Sequence, residues 1–392
     1  MHISSVLVIC TSLLASLAAG AQSPARTDSV CADTYVQDSA GHQNFIQKVI
    51  GYFEKSNKET ITHKPKFSFI GGPHYSSDTK FGVGLLAAGL YSTNPGDTTL
   101  EPSNVTLFAD LTTGKYYKVG IEGLHMYRDN SRRIDYEFSF NSYTTYYWGI
   151  GVERGLIEQN KTRYQLFNFK LSADHLWRVC RDFYAGPLMK LEYTSAKHIQ
   201  NKNRWYGQPL KVYVMELGGK LQYDNRDNYT SPSRGWMGYV SASYNQGLTS
   251  RYNGQYATFS FNLCNYARVW KSGVIASRVH GVFTFGDTPW CNMPTLGTAG
   301  TMRGYYEGQY RDKQEMDLTV ELRQHLMGRS GLVVFGGVGG VFPSFGRLKD
   351  KHILPSYGVG YRWEFKKNTN IRIDIGIGKK CWGIEFNIGE AF

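Results

Sequence analysis

The chain has 392 residues, including 43 Gly, 28 Tyr, 21 Phe and 8 Trp, and only 19% of its side chains are charged. A mean hydropathy of −0.39, with no run of ~18 apolar residues after the N-terminus, excludes membrane-spanning helices; the aromatic, glycine-rich profile suits a membrane β-barrel, where only alternate residues meet lipid. The formal net charge of +12 is assigned to anionic lipid headgroups or a basic lumen and not to nucleic acid, because the chain reads as secreted.

Residues Ile3 to Ala19 are apolar and contain no Lys, Arg, Asp or Glu, and Ala19-Gly20-Ala21 supplies an A-x-A site. Residues 1–21 therefore read as a secretory signal peptide cleaved after Ala21, with a weak n-region of amino terminus and His2. Cleavage removes Cys10 and leaves Cys31, Cys180, Cys264, Cys291 and Cys381. They are scattered and show no C-x-x-C or metal-ligand spacing, so isolated thiols are expected, with no metal and no cofactor.

Residues 22–65 are expected to form an N-terminal extension, on the periplasmic side if the rest is a membrane barrel. It is polar from Ser23 to Gly41. Between His42 and Lys58, Phe45, Ile46, Val49, Ile50 and Phe53 recur at three and four residues, the spacing of one helix face. A short amphipathic helix is expected there, plugging or capping the barrel; docking to a partner or to a membrane surface are the alternatives.

From Lys66 to Phe392 the apolar period becomes two. Ile371, Ile373, Ile375 and Ile377 oppose Arg372, Asp374, Gly376 and Gly378. Met316, Leu318, Val320 and Leu322 oppose Asp317, Thr319, Glu321 and Arg323. Such runs recur about sixteen times, from 66–74 through 370–378 and 382–392, each near the ~9–11 residues that cross a bilayer. The predicted fold is all-β: a transmembrane antiparallel barrel spanning 66–392. A soluble sandwich would show the same alternation with its apolar face inward. With the first strand running outward, the long links 143–161, 196–210 and 286–314 are extracellular, and short links such as Gly328-Arg329-Ser330 are periplasmic.

The final stretch alternates Trp382, Ile384, Phe386, Ile388, Glu390 and Phe392 against Gly383, Glu385, Asn387, Gly389 and Ala391. A terminal aromatic on such a strand resembles the C-terminal signal of outer-membrane barrels, carried here by Phe386, Ile388 and Phe392, and recognition of such a strand is edge pairing. The long link holds Gly297 and then Met302-Arg303-Gly304-Tyr305, which resembles the sixth-loop motif of the BamA/TamA superfamily of outer-membrane assembly barrels. Asp224-Asn225-Arg226-Asp227, followed by Pro232 and Gly235, is similar to that family's periplasmic turn. The stretch Asp317 to Leu326, with Glu321 at the acidic position, and the ending Phe386 to Phe392 are similar as well. The resemblance covers 66–392.

The resemblance implies that the sixth loop folds back into the lumen, with Arg303, Gly304 and Tyr305 latched through Arg303 to Glu321 and Asp374. A buried guanidinium needs a carboxylate, and its fork suits one. The following strand departs from the family's F-x-D-x-G, reading Phe335-Gly336-Gly337-Val338-Gly339, so a contact to that acid is lost. About 44 residues, 22–65, precede the barrel, too few for polypeptide-transport-associated domains.

The function expected is a bacterial outer-membrane barrel of the protein-assembly and translocation class, acting through a seam between its first and last strands. Its partners would be outer-membrane lipids and client barrel proteins or envelope-complex subunits, with an oligomer open. The alternative is a passive pore or a structural subunit of a larger complex. No enzymatic constellation accompanies His280, which shares the lumenal face with Arg278 and reads as structural.

Overall fold

The computed structural model describes residues 63–76, 80–94, 102–113, 116–297, 302–348, 352–366 and 368–392. The signal peptide and the amphipathic helix expected at 42–58 lie outside the described residues.

Sixteen strands follow one another in chain order: β1 (Lys66–Ser76), β2 (Lys80–Tyr91), β3 (Ser103–Thr112), β4 (Tyr117–Met126), β5 (Arg132–Tyr147), β6 (Thr162–Cys180), β7 (Phe183–Lys197), β8 (Lys211–Asp224), β9 (Gly235–Gly247), β10 (Gln255–Trp270), β11 (Gly273–Gly286), β12 (Gln314–His325), β13 (Ser330–Phe342), β14 (Leu354–Lys366), β15 (Thr369–Gly378) and β16 (Cys381–Ile388). Each pairs antiparallel with the next, giving one sixteen-stranded meander. Tight links fix the register. Asp182 between β6 and β7 and Asn368 between β14 and β15 take positive φ, 61° and 59°, which Asp and Asn tolerate in short turns.

The two faces are sorted in the sense that periodicity alone left open. Phe81, Val83 and Leu85 on β2, Leu217 and Leu221 on β8, and Met316, Leu318 and Val320 on β12 are exposed. Their strand neighbours Asp317, Thr319, Glu321 and Arg323 are buried. An apolar outside and a charged inside is the inverse of a soluble sandwich and is the arrangement of a membrane barrel. The sheet curls around its polar face, because the 287–313 link touches strands ten apart. Tyr306 meets Thr145 of β5 at 2.9 Å, and Arg303 meets Asp374 of β15 at 2.8 Å. Among the described residues the ladder runs from β1 to β16 with no pairing between those two.

Boundaries differ most where a long strand reaches past the apolar band. β5 continues to Tyr147 and β6 to Cys180, 16 and 19 residues long, beyond the ~9–11 that cross a bilayer. β16 differs the other way, ending at Ile388 and not at Phe392. Gly389 takes φ 88° and turns the chain out of the strand. Continuing it would set the Glu390 carboxylate on the lipid face, where a charge is costly. Turned inward, Glu390 accepts from Arg362 Nε at 3.0 Å and Asn370 Nδ2 at 2.6 Å.

Candidate functional site

The sixth loop, 287–313, enters the lumen through an aromatic collar. Trp290 is buried against Tyr147, Tyr164 and Trp205, at ring-centroid distances of 5.7, 5.6 and 4.9 Å. Its indole N–H donates to Pro209 O at 2.8 Å, so a bulky ring is buried without stranding its polar atom. Arg311 closes the loop's base by donating to Trp290 O at 2.9 Å. Deeper in, Leu296, Met302, Tyr305 and Tyr310 pack with Val152, Val341 and Leu354. Between the loop and the β5–β7 wall remains a cavity of about 440 Å³ lined by Tyr143, Glu192, Glu307 and Arg311 among others.

At the loop's tip Arg303 is 1% exposed. Its Nη1 donates to Asp374 Oδ2 at 2.8 Å and its Nη2 to Glu321 Oε1, so one fork spans β12 and β15. The guanidinium carbon also lies 3.5 Å from the centre of the Phe335 ring, a cation–π contact on β13. Phe335 thus meets the arginine from the strand where Gly337 replaces the family's acid. Arg303 O accepts from Ser356 Oγ at 2.7 Å. Tyr305 Oη donates to Pro355 O at 2.6 Å and accepts from the Lys379 N–H at 2.7 Å.

Gly304 takes φ 99° and rests on Gly376 of β15, backbone against backbone. A Cβ on Gly304 would come within 2.5 Å of Gly376 C, and one on Gly376 within 2.5 Å of Arg303 C.

Sequence reasoning named Arg303, Gly304, Tyr305, Glu321 and Asp374, and these come together. It missed the rest of the charge network. Glu321 Oε2 accepts from Arg323 Nε at 2.8 Å, and Asp374 Oδ1 accepts from Arg362 Nη1 at 2.6 Å. Arg372 Nη1 is 3.2 Å from Asp374 Oδ2, and Arg362 also holds Glu390. Arg323, Arg362 and Arg372 lie on the charged faces of alternating strands, and that alternation was the available signal; Glu390 lies beyond the end of β16 and falls on the apolar side of its pattern. Their convergence was not visible.

The turn motif lies between β8 and β9. Asp224 is buried and receives both arms of Arg226, Nε at 2.9 Å and Nη2 at 2.9 Å. Arg133 of β5 approaches the same carboxylate at 3.7 Å. Asp227 accepts from the N–H groups of Ser233 at 2.8 Å and Arg234 at 3.1 Å. Burial alone would raise the Asp227 carboxyl, but these donors and the Ser233 hydroxyl outweigh it and hold it below the usual aspartate range. Pro232 is buried in the turn. Gly235 has φ 105°, and a Cβ there would come within 2.6 Å of Asn225 O. Arg226→Ala is expected to destabilise the barrel by about 3 kcal/mol, because it strips a buried carboxylate of its bidentate partner. The check is the midpoint of urea unfolding, followed by the mobility shift of heated against unheated barrel on gels; an unchanged midpoint would refute it.

The three residues of the C-terminal pattern separate. Phe386 is outward and 63% exposed, beside Trp382 and Ile384. Ile388 is the last strand residue, opposite Ile371. Phe392 has turned into the lumen, where it packs against the cluster of Cys264, Tyr266 and Ala276. Arg323 Nη2 donates to Phe392 O at 2.9 Å, and its guanidinium carbon lies 5.2 Å from the Phe392 ring centre.

Residues 86–392 match the model of the Omp85 superfamily domain. A comparison with curated proteins gave no match. Among solved structures, BamA from Haemophilus ducreyi lacking POTRA domains 1–3 is similar at 13% identity and a TM-score of 0.53, over 83% of this chain and 69% of that one. CdiB from Escherichia coli is similar at 9% identity and a TM-score of 0.52, over 88% of this chain and 69% of that one. CdiB from Acinetobacter baumannii gives 10% identity and a TM-score of 0.50, over 82% and 58%. At these identities the likeness speaks for the fold.

Proposed function

Because this chain belongs to the Omp85 superfamily, matched over residues 86–392, we propose that it assembles or translocates other polypeptides in the bacterial outer membrane and that it works through the seam between β1 and β16. The observation that carries this reading is where the strand ladder ends. Among the described residues, pairing stops at β1 on one side and at β16 on the other. β16 has only eight residues. Free N–H and C=O groups on such an edge are a template for an incoming strand. Gly383 adds no side chain to hold the seam, and Trp382, Ile384 and Phe386, at 62%, 58% and 63% exposed, give that edge an apolar flank toward lipid.

The sixth loop supports the same reading. It occupies the lumen and is tied to both walls, by Tyr306 to β5 and by Arg303 to β12 and β15. A lumen filled this way suits a barrel that handles clients at its side better than one that conducts through its middle. In this reading the Arg303 fork is a latch that keeps β12 and β15 in fixed relation, and so braces the wall behind the seam. Clients would be other barrel proteins or secreted chains. The Phe386 strand would serve in the barrel's own insertion, and the Asp224–Gly235 turn in bracing the periplasmic rim.

Cysteine pairs scanned along Phe67–Phe69 and Ile384–Phe386, in a background with Cys381→Ser, would lock the seam. In proteoliposomes the crosslinked barrel is expected to lose its stimulation of client-barrel folding, falling to the lipid-only rate, and to recover it on reduction. Undiminished stimulation in a fully crosslinked sample would rule the seam out. Ion conductance that survives locking, with no client stimulation before it, would favour a pore.

A further inference from the structure

Away from the latch, β11 and β12 bring three ligand-type side chains together. The register sets His280 opposite Asp317, and Val282 opposite Glu315. Glu315 and Asp317 are buried. His280 keeps 17% of its side chain open to the lumen. His280 Nδ1 lies 3.0 Å from Asp317 Oδ2 and 3.2 Å from Glu315 Oε2. Taking one donor atom from each residue, all three atoms lie within 4.8 Å of one another.

We propose that His280, Glu315 and Asp317 form a lumenal binding site for one divalent transition-metal ion of the class that accepts imidazole and carboxylate together, such as zinc or manganese.

Geometry supports this first. Two ligands at ~2.1 Å from a tetrahedral or octahedral ion stand roughly 3.0–3.4 Å apart. Both imidazole–carboxylate separations fall in that range, so an ion can enter with little movement of the ring. The frame is also rigid, because the ligands sit on two strands in full register.

Charge supports it next. Two buried carboxylates face one imidazole, which can offer at most one positive charge. A divalent cation would balance both once it displaced the proton that two neighbouring buried carboxyls can share. Arg278, two residues before His280, is turned to Asn262, with Nε 2.5 Å from its Oδ1.

A third observation is independent of both. Asp317 Oδ1 is buried and has no hydrogen-bond partner. The two oxygens of a carboxylate are only about 2.2 Å apart, so this orphan acceptor lies at the cluster itself. An unsatisfied buried acceptor costs about 1–3 kcal/mol, and coordination would remove that cost. The competing account is a simple histidine–carboxylate hydrogen bond that ties β11 to β12, with no ion.

The full-length barrel, purified untagged in detergent, distinguishes the two. Zn²⁺ followed by calorimetry and Co²⁺ followed by visible absorbance are expected to saturate at one equivalent per chain. His280→Gln should abolish that equivalent. Glu315→Gln and Asp317→Asn should each weaken it at least tenfold, whereas His325→Gln should leave it unchanged. The mobility shift on heating establishes that each variant is folded, and should His280→Gln fail this control, Glu315→Gln carries the test. Absence of a saturable equivalent in the wild type, or its retention in folded His280→Gln or Glu315→Gln, would overturn the proposal.

Discussion

In Gly376→Val, trypsin is expected to cleave the barrel within the sixth loop, at Arg303 or Arg311, under conditions in which the wild type stays intact. Gly376 lies under the loop's tip, and a Cβ there would meet Arg303 C at 2.5 Å, Arg303 O at 2.6 Å and Gly304 N at 2.6 Å. All three are backbone atoms, so no side-chain rotation relieves the overlap. Ordinary overpacking costs about 1–3 kcal/mol, and a branched side chain driven into backbone costs more. The strand itself can accept valine, which favours extended structure. The loop therefore yields before the sheet does. Removing it from the lumen should raise single-channel conductance severalfold. A wild-type cleavage pattern with wild-type conductance would show that the loop–strand contact is not what seats the loop.

The second large effect concerns the arginine beside that glycine. Arg303→Ala is expected to lower the temperature at which the barrel loses its compact gel mobility, with a loss of about 3–5 kcal/mol, the scale for breaking a buried ion pair. The fork bridges Asp374 and Glu321, whose side chains are 0% exposed. Arg323, Arg362 and Arg372 remain to neutralise these carboxylates. What disappears is therefore chiefly the link between β12, β15 and the loop, together with the packing on Phe335. Arg303→Lys tests this separately. It keeps the charge but cannot reach both carboxylates in one plane, so it should recover only part of the loss. Full recovery by lysine would mean that charge alone, without the fork, holds the tip. No change in Arg303→Ala, in mobility, in trypsin resistance or in client folding, would remove the latch from the proposed mechanism.

These two positions differ in how far the chain announces them. Arg303 stands in a run that resembles a known motif, and Glu321 and Asp374 stand on alternating faces. Gly376 stands in Asn370 to Gly378 as one of two glycines opposite isoleucines, and nothing local separates it from Gly378. Only the loop lying across it gives it a role. Phe392 is the converse case. Alternation continues to the last residue, so the pattern places it outward. The turn at Gly389 and the arginines inside place it in the lumen, held by Arg323. His280 and its two acids are a third example. They are separated by 35 and 37 positions, with no metal-ligand spacing, and are brought together by a cross-strand register.

Strand number, order and most boundaries were already determined by the amino-acid sequence. The pleat makes side-chain direction a local, two-residue property, and short Asp- or Asn-bearing links leave successive strands little choice but to pair with their neighbours. Which face meets solvent is not a local property. Alternation is the same for a sandwich and a barrel, and only the curled sheet, with Asp317 and Glu321 inside and Met316 and Leu318 outside, decides it. The same holds for the charge network at the loop tip. Arg303 and Asp374 are 71 residues apart and meet at 2.8 Å, a distance set by curvature and by the loop's path through the lumen, neither of which is encoded in spacing along one strand.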